Sequence, residues 1–146
     1  MSVEEIGSDY LAVTYRDYDY SGGAHGYPYV GTYLYRLSSG EELTLKDICG
    51  VSFEQFREIV AKKTIEDWKN TGGYSYFSSS EDDTDGSRET EFYNEILEDI
   101  TDFESVPITY TKDGIVINYP PYMYGPYASG YIEIPINYDE LNISME

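Results

Sequence analysis

Two segments of the chain alternate aromatic or apolar residues with polar ones, which is typical of half-buried β-strands. The pattern predicts a first strand over residues 10–15 and a second over residues 27–37. Tyr18 and Tyr20 fall out of the phase of the first strand, and a β-bulge near residues 16–17 would explain the change. The aromatic and apolar residues of this alternation stand at odd-numbered positions: Leu11, Val13, Tyr15, Tyr27, Tyr29, Tyr33, Tyr35 and Leu37.

The middle of the chain has helical spacing. Ser52 and Gln55 have the spacing of a capping box, so a first helix is predicted to begin at Phe53 and to end at Asn70. A loop rich in glycine, serine and aspartate follows over residues 71–87. A second helix is then predicted from the apolar spacing of Phe92, Tyr93, Ile96, Leu97, Ile100 and Phe103.

The last third returns to strand patterns. Residues 108–119 predict a hairpin, because two apolar runs flank Asp113 and Gly114. Alternating isoleucines predict a last strand over residues 132–138. Pro135 has no N–H to donate, which predicts that one edge of this strand is unpaired.

The order of strands, helices and strands favours an α+β fold, with an antiparallel sheet and two main helices packed on one of its faces. A length of 146 residues suits a single domain with its own core. We expect this domain to span residues 10–142, after a polar and flexible N-terminus over residues 1–9. Within the sequence we expect neither an export signal nor a membrane anchor.

The chain is strongly acidic. It has 28 acidic and 9 basic side chains and a formal net charge of −19. This charge argues against nucleic acid and against contact with an anionic membrane, which both attract Lys and Arg. It favours a basic partner and would speed association with one, although acidity also serves simple solubility.

Few residues are available for metal or thiol chemistry. Cys49 is the only cysteine, so an internal disulfide is impossible, and we expect a small buried side chain there. Glu81, Asp83 and Asp85 imitate the start of a calcium loop, but the twelfth position holds Phe92 instead of a bidentate glutamate. We therefore predict a solvated acidic loop over residues 81–86, with weak cation binding left open, and neither a metal site nor a cofactor.

His25, the only histidine, lies in a glycine-rich loop over residues 21–26. It is the obvious general base, and Asp17 or Asp19 would orient it in a hydrolase. Residues so close in sequence rarely converge as a catalytic triad does, and a histidine in such a loop more often braces it by hydrogen bonds. We therefore assign no catalytic residue. The candidate ligand-binding residues come from this loop and from the proline- and tyrosine-rich residues 120–130: Gly22, Gly23, His25, Tyr27, Tyr122, Tyr124 and Tyr127.

Three segments carry a resemblance to a known domain: YDYSGGAHG at residues 18–26, SSGEELTLKDI at residues 38–48, and TKDGIVINYPPYMYGPYASGYIEIPI at residues 111–136. Over residues 10–142 the chain resembles the C-terminal exported domain of uncharacterised function in the lysozyme-sensing anti-sigma-V factor (RsiV) and in PdaC-type peptidoglycan deacetylases. The resemblance implies an α+β domain outside the cell membrane of a bacterium. In the anti-sigma relatives this domain binds lysozyme, whereas in the deacetylases a separate zinc-dependent domain carries the hydrolysis.

Three functions follow as hypotheses. The first is a non-catalytic extracytoplasmic recognition or sensor domain that binds a basic protein such as lysozyme, or a cell-wall ligand such as a peptidoglycan fragment. The second is a cell-wall hydrolase that uses His25 with a nearby aspartate. The third is a purely structural accessory domain, in which the two loops serve only folding. Two observations distinguish these hypotheses: whether His25 is exposed, and which groups surround it.

Overall fold

Two antiparallel sheets and two long helices make up the computed structural model, which describes residues 1–146. The predicted α+β class with two main helices in a single domain is confirmed, although the strands form two sheets and not one. The first sheet has the order β1 (Ser2–Ile6), β2 (Tyr10–Asp19), β3 (Tyr27–Arg36) and β4 (Glu42–Leu43). The second has the order β5 (Ile108–Tyr110), β6 (Gly114–Tyr119) and β7 (Ile132–Asn137).

The prediction of a flexible N-terminus over residues 1–9 is wrong. Residues Ser2–Ile6 form β1, which pairs with β2 so that Val3 lies opposite Val13 and Ile6 opposite Tyr10. Ile6 is fully buried in the core. The glutamates of this segment made it look like a polar tail, but β-pairing and one buried isoleucine are enough to hold it in the sheet.

The predicted bulge near residues 16–17 is also absent. β2 and β3 pair without interruption from Tyr10 opposite Arg36 to Asp19 opposite Tyr27. Even-numbered residues of β2 and β3 therefore point inward and odd-numbered residues outward along both strands. The inward positions include the buried residues Tyr10, Ala12, Val30 and Leu34, whereas Tyr15, Tyr29 and Tyr33 are exposed on the outward side.

The second sheet follows the predicted hairpin and last strand. Ile115 of β6 pairs with Tyr110 of β5 on one side and with Ile136 of β7 on the other. Pro135 lies on β7, an edge strand, as predicted from its missing N–H. β7 packs against the long helix over residues 53–70. Its three isoleucines are buried: Ile132, Ile134 and Ile136.

A short helix, α1 (Leu45–Ile48), precedes the two long helices. The long helix α2 (Phe53–Asn70) begins and ends as predicted, and the Ser52–Gln55 capping box is present at its N-terminus. The helix α3 (Ser87–Asp99) ends earlier than the apolar spacing suggested, because Ile100 already has extended backbone geometry. Only α2 contributes a broad buried stripe: Phe56, Val60, Ala61, Thr64, Ile65 and Trp68.

The core lies between α2, α3 and the two sheets, as one connected cluster of buried side chains. The buried Thr64 and Tyr119 hydroxyls are paired, 2.7 Å apart in the interior, whereas the buried Oδ1 atom of Asn118 has no hydrogen-bond partner. The two sheets are joined at their polar margin by an ion pair of 3.4 Å between Arg16 and Glu133. No helix is both long and apolar enough to cross a membrane.

Candidate functional site

The two loops singled out by the sequence meet at one end of the first sheet. The loop over residues 20–26 joins β2 to β3, and the loop over residues 120–131 joins β6 to β7. The Tyr127 hydroxyl donates a hydrogen bond to the Gly26 carbonyl oxygen at 2.9 Å. The Tyr131 hydroxyl donates to the Pro28 carbonyl oxygen at the same distance. These bonds connect the tyrosine-rich loop to the His25 loop and to the start of β3, about a hundred residues away in sequence.

His25 lies at the centre of this meeting point. Its ring stacks on the Tyr127 ring, with a centroid distance of 3.6 Å and an interplanar angle of 16°. Its Nε2 atom lies 2.8 Å from the Tyr122 hydroxyl. His25 is nevertheless exposed, as is Tyr122. We call His25, Tyr122 and Tyr127 the loop cluster: its members brace one another and still face solvent.

The hydrogen bonds of His25 fix the tautomer of its neutral ring. The Nδ1 atom lies 3.1 Å from the Gly26 carbonyl oxygen, which can only accept, so Nδ1 carries the hydrogen. Nε2 of the neutral ring then accepts from the Tyr122 hydroxyl. Both ring nitrogens are therefore engaged, and neither contacts a carboxylate.

The aspartates considered as orienting acids lie elsewhere. The Asp17 carboxylate accepts a hydrogen bond of 2.8 Å from the Tyr18 backbone N–H. Asp19 pairs with Tyr27 at an outward position of the first sheet. Since neither carboxylate bonds to His25, the arrangement lacks the base–acid contact of a hydrolytic triad.

Tyr122 has an unusual backbone conformation. Its φ of 73° lies in the left-handed region, where residues other than glycine are uncommon. The turn is held by a hydrogen bond of 3.0 Å from the Tyr122 N–H to the Gly125 carbonyl oxygen. A backbone conformation of this kind costs free energy and persists only where the surrounding structure holds it. Residues strained in this way cluster at binding and active sites. Here the strain presents a large ring to solvent, since 52% of Tyr122 is exposed.

Tyr18 and Gly26 form hydrogen bonds that hold Tyr127 in the loop cluster. The Gly26 N–H donates to the Tyr18 hydroxyl at 2.7 Å, and this hydroxyl lies 3.3 Å from that of Tyr127. A Cβ on Gly26 would come within 2.5 Å of the Asp19 carbonyl oxygen, so this position requires glycine. The hydrogen bond with Tyr18, together with burial, raises the pKa of Tyr127 to about 12, so its hydroxyl stays neutral at physiological pH.

The glycines ahead of His25 have another role. Gly22 and Gly23 have φ values of 108° and 107°, which side-chain-bearing residues rarely adopt. A Cβ on either would meet no atom within 4 Å. Glycine is therefore favoured here by the backbone conformation of the loop, and not by a close neighbouring atom. Both are exposed beside the cluster, without a side chain to offer a ligand.

Two of the predicted tyrosines lie outside the cluster. Tyr124 is 4% exposed, and its hydroxyl donates to Asp99 at 2.8 Å, so its proposed contact with a ligand is corrected to a core role. Tyr27 is half-buried on the outward side of β3, where its ring contacts that of Tyr29. Sequence reasoning missed Tyr18, whose even position was attributed to a bulge and in fact directs it towards the loops.

The acidic loop serves the N-terminus of α3. The Asp83 carboxylate accepts hydrogen bonds of 3.0 Å from the backbone N–H groups of Arg88 and Glu89. Bonds from the Ser87 side chain and backbone lower the pKa of Asp85. Carboxylates in these positions satisfy N–H groups that a helix cannot pair internally. These acids therefore have a structural use that the calcium-loop comparison did not reveal, and no group of three or more His, Cys, Asp or Glu has metal-binding geometry.

The sequence from the start of α2 to the end of the second sheet identifies the family. Residues 53–139 match the family described as "Protein of unknown function (DUF3298)". The chain belongs to the DUF3298 family. The matched residues include the tyrosine-rich loop and leave out the loop of His25. No curated protein matches the chain.

Two solved DUF3298 structures share the fold. One is a family protein from Pseudomonas aeruginosa PAO1, with 20% identity and a TM-score of 0.59 over 97% of this chain and 57% of that one. The other is a family member from Bacteroides fragilis NCTC 9343, with 23% identity and a TM-score of 0.62 over 97% of this chain and 50% of that one. The chain thus spans about half the length of these DUF3298 proteins.

Proposed function

We propose that this DUF3298 domain is a non-catalytic recognition module whose loop cluster binds a protein partner. The observation that carries the proposal is Tyr122, an exposed ring held at positive φ and fixed by His25. Aromatic side chains with a polar tip dominate the binding energy of protein interfaces. A ring already fixed in place loses little conformational entropy on binding, which favours affinity.

The contacts of His25 support recognition over hydrolysis. In a hydrolytic triad a carboxylate accepts the hydrogen bond from the second ring nitrogen of the histidine and orients the ring. Here Nδ1 bonds to Gly26, Nε2 bonds to Tyr122 and the ring face is covered by Tyr127. Cys49 offers no thiolate nucleophile, because burial raises the pKa of its thiol.

A basic protein is the partner class that the charge favours. With a net charge of −19 the domain would attract such a protein and speed its association at low salt. We propose a lysozyme of the c-type as the specific partner, in line with the resemblance to the lysozyme-sensing anti-sigma factor. This role places the domain outside the cytoplasm of a bacterium, as part of an exported protein. A peptidoglycan fragment is the second candidate ligand, since the tyrosine rings also suit stacking on sugars.

Isothermal titration calorimetry with a c-type lysozyme and with soluble muropeptides tests the proposal. We expect lysozyme to bind, with lower affinity at physiological salt than at low salt. Replacing the central ring in Tyr122→Ala removes an interface anchor and should weaken binding at least tenfold, about 1.4 kcal/mol. Tyr74→Ala is the matched control, because Tyr74 is 92% exposed and lies in a different loop.

Each outcome of the titration has a clear meaning. Absence of binding to both lysozyme and muropeptides would overturn the proposed partners. Equal losses for Tyr122→Ala and Tyr74→Ala would show that the loop cluster is not the binding site. Turnover of cell-wall material that His25→Ala abolishes, with the fold retained, would restore the hydrolase hypothesis.

A further inference from the structure

A second surface of the domain carries a different set of tyrosines. The outward face of the first sheet presents Tyr15, Tyr27, Tyr29, Tyr33 and Tyr35 from strands β2 and β3. Tyr15, Tyr29 and Tyr33 are 41%, 49% and 44% exposed. The loop cluster does not include any of them. We call this surface the tyrosine face.

The rings of this face support one another without being covered. Tyr15 lies opposite Gly31, and a Cβ on that glycine would come within 2.2 Å of the Tyr15 ring. The ring therefore rests directly on the backbone of β3. Tyr33 stacks on Tyr15 at 6.0 Å and on Tyr35 at 6.4 Å, so three neighbouring rings form a connected aromatic surface.

Every charged residue at the outward positions of the sheet is acidic: Glu5, Asp17, Asp19 and Glu42. All are exposed. None takes part in an ion pair, since the chain's ion pairs use other carboxylates. The arginines that lie over aromatic rings do so elsewhere, at Tyr10 and Phe53. The domain thus provides no cation of its own to this face.

The strand register places these carboxylates beside the rings. Asp17 lies opposite Tyr29 and Asp19 opposite Tyr27 across β2 and β3. Glu42 lies opposite Tyr35 across β3 and β4. Directly opposite residues of an antiparallel pair have Cβ atoms about 5 Å apart, so each pair offers a ring face and a carboxylate to one incoming group.

We propose that the tyrosine face is a docking surface for a polypeptide segment that carries arginine side chains. A guanidinium stacks on an aromatic face and also forms a bidentate pair with a carboxylate, which is the combination that each tyrosine–carboxylate pair presents. Several such pairs at strand spacing suit an extended segment with more than one arginine. The tyrosine face is independent of the loop cluster, because it consists of other residues on another side of the sheet.

Titration of the full chain with a hexa-arginine peptide tests this surface, with hexa-lysine and chitohexaose as comparison probes. Arginine should bind more tightly than lysine, since the planar guanidinium stacks and pairs bidentately. An exposed cation–π contact and an exposed ion pair are each worth up to about 1 kcal/mol, which is roughly fivefold in affinity. We therefore expect about fivefold weaker binding for Tyr29→Ala, and a similar loss for the double variant Asp17→Asn with Asp19→Asn.

Matched controls separate the face from general acidity. The double variant Glu66→Gln with Glu98→Gln removes the same charge from exposed positions on the helices, and Tyr74→Ala removes an exposed ring. These controls should retain hexa-arginine affinity within about twofold, and Tyr122→Ala should do the same. Equal losses in the control and face variants would overturn the proposal, as would absence of peptide binding or a preference for chitohexaose. Failure of lysozyme binding at the loop cluster would leave this result unaffected.

Discussion

The tyrosines of this domain fall into two regions with opposite environments. In the core near α2 and the second sheet, their hydroxyls reach a defined partner: Tyr76 bonds to Asp67, Tyr119 to Thr64 and Tyr124 to Asp99. On the first sheet and its loops, comparable rings face solvent and contact mainly each other. The same residue type thus stabilises the fold in one region and forms exposed surface in the other.

Composition alone therefore does not assign a role to tyrosine. Eighteen tyrosines are compatible with a half-buried sheet, with a binding surface or with both. A buried hydroxyl must be paired, since an unpaired one costs about 1–3 kcal/mol. Burial together with a paired hydroxyl therefore identifies the structural tyrosines, and the exposed rings are the ones available to a ligand.

High pH should distinguish the buried tyrosines from the exposed ones most strongly. Burial raises the pKa of the core tyrosines above the ordinary value of 10.0, so in the folded state they keep their protons when the unfolded chain has lost them. The unfolded state then binds fewer protons than the folded state, and the free energy of unfolding falls as pH rises above 10. Each such phenol contributes a loss of about 1.4 kcal/mol per pH unit. The tyrosines concerned are Tyr76, Tyr110, Tyr119, Tyr124 and Tyr138.

Spectroscopy can follow the two events together. We expect part of the tyrosinate absorbance near 295 nm to appear in one cooperative step above pH 10, coincident with loss of the far-ultraviolet circular dichroism signal. A smooth titration of all tyrosines while the dichroism signal stays constant would contradict the role assigned to the buried hydroxyls.

Truncating one ring from each region should give the next largest contrast. Tyr119 is fully buried, and replacing such a ring by alanine creates a cavity that costs about 3–5 kcal/mol. Tyr33→Ala removes a ring that is 44% exposed, and should cost less than about 1 kcal/mol from lost cross-strand contacts. Urea unfolding of both variants measures the difference, and equal losses would mean that the sheet face is also part of the core.

Much of this arrangement could be predicted from the sequence, because local patterns determine it. The Ser52–Gln55 capping box and the apolar stripe of α2 gave its bounds. The strands β2 and β3 were predicted from their odd-numbered residues, but the buried positions Tyr10, Ala12, Val30 and Leu34 are even-numbered.

Contacts between segments that are distant in sequence could not be predicted from local patterns. Tyr122 and Tyr124 both lie in one loop, two residues apart, and yet one is half exposed and the other is buried. Only the packing of Tyr124 against Tyr119 and Phe92, from other elements, distinguishes them. Likewise, β1 depends on pairing with β2, and the alternation within Ser2–Ile6 was too short to overrule its two glutamates.

The smallest expected effect concerns the backbone of Tyr122, and its sign is the informative quantity. At a φ of 73° an alanine is strained whereas glycine is not, so Tyr122→Gly should be more stable than Tyr122→Ala by about 1 kcal/mol. At Tyr29, in the middle of a strand, the order should reverse, because glycine weakens strands and no positive φ favours it. Thermal unfolding of the four variants measures both differences. If alanine is the more stable replacement at both positions, Tyr122 is not held under strain and the loop cluster is not preorganised for a partner.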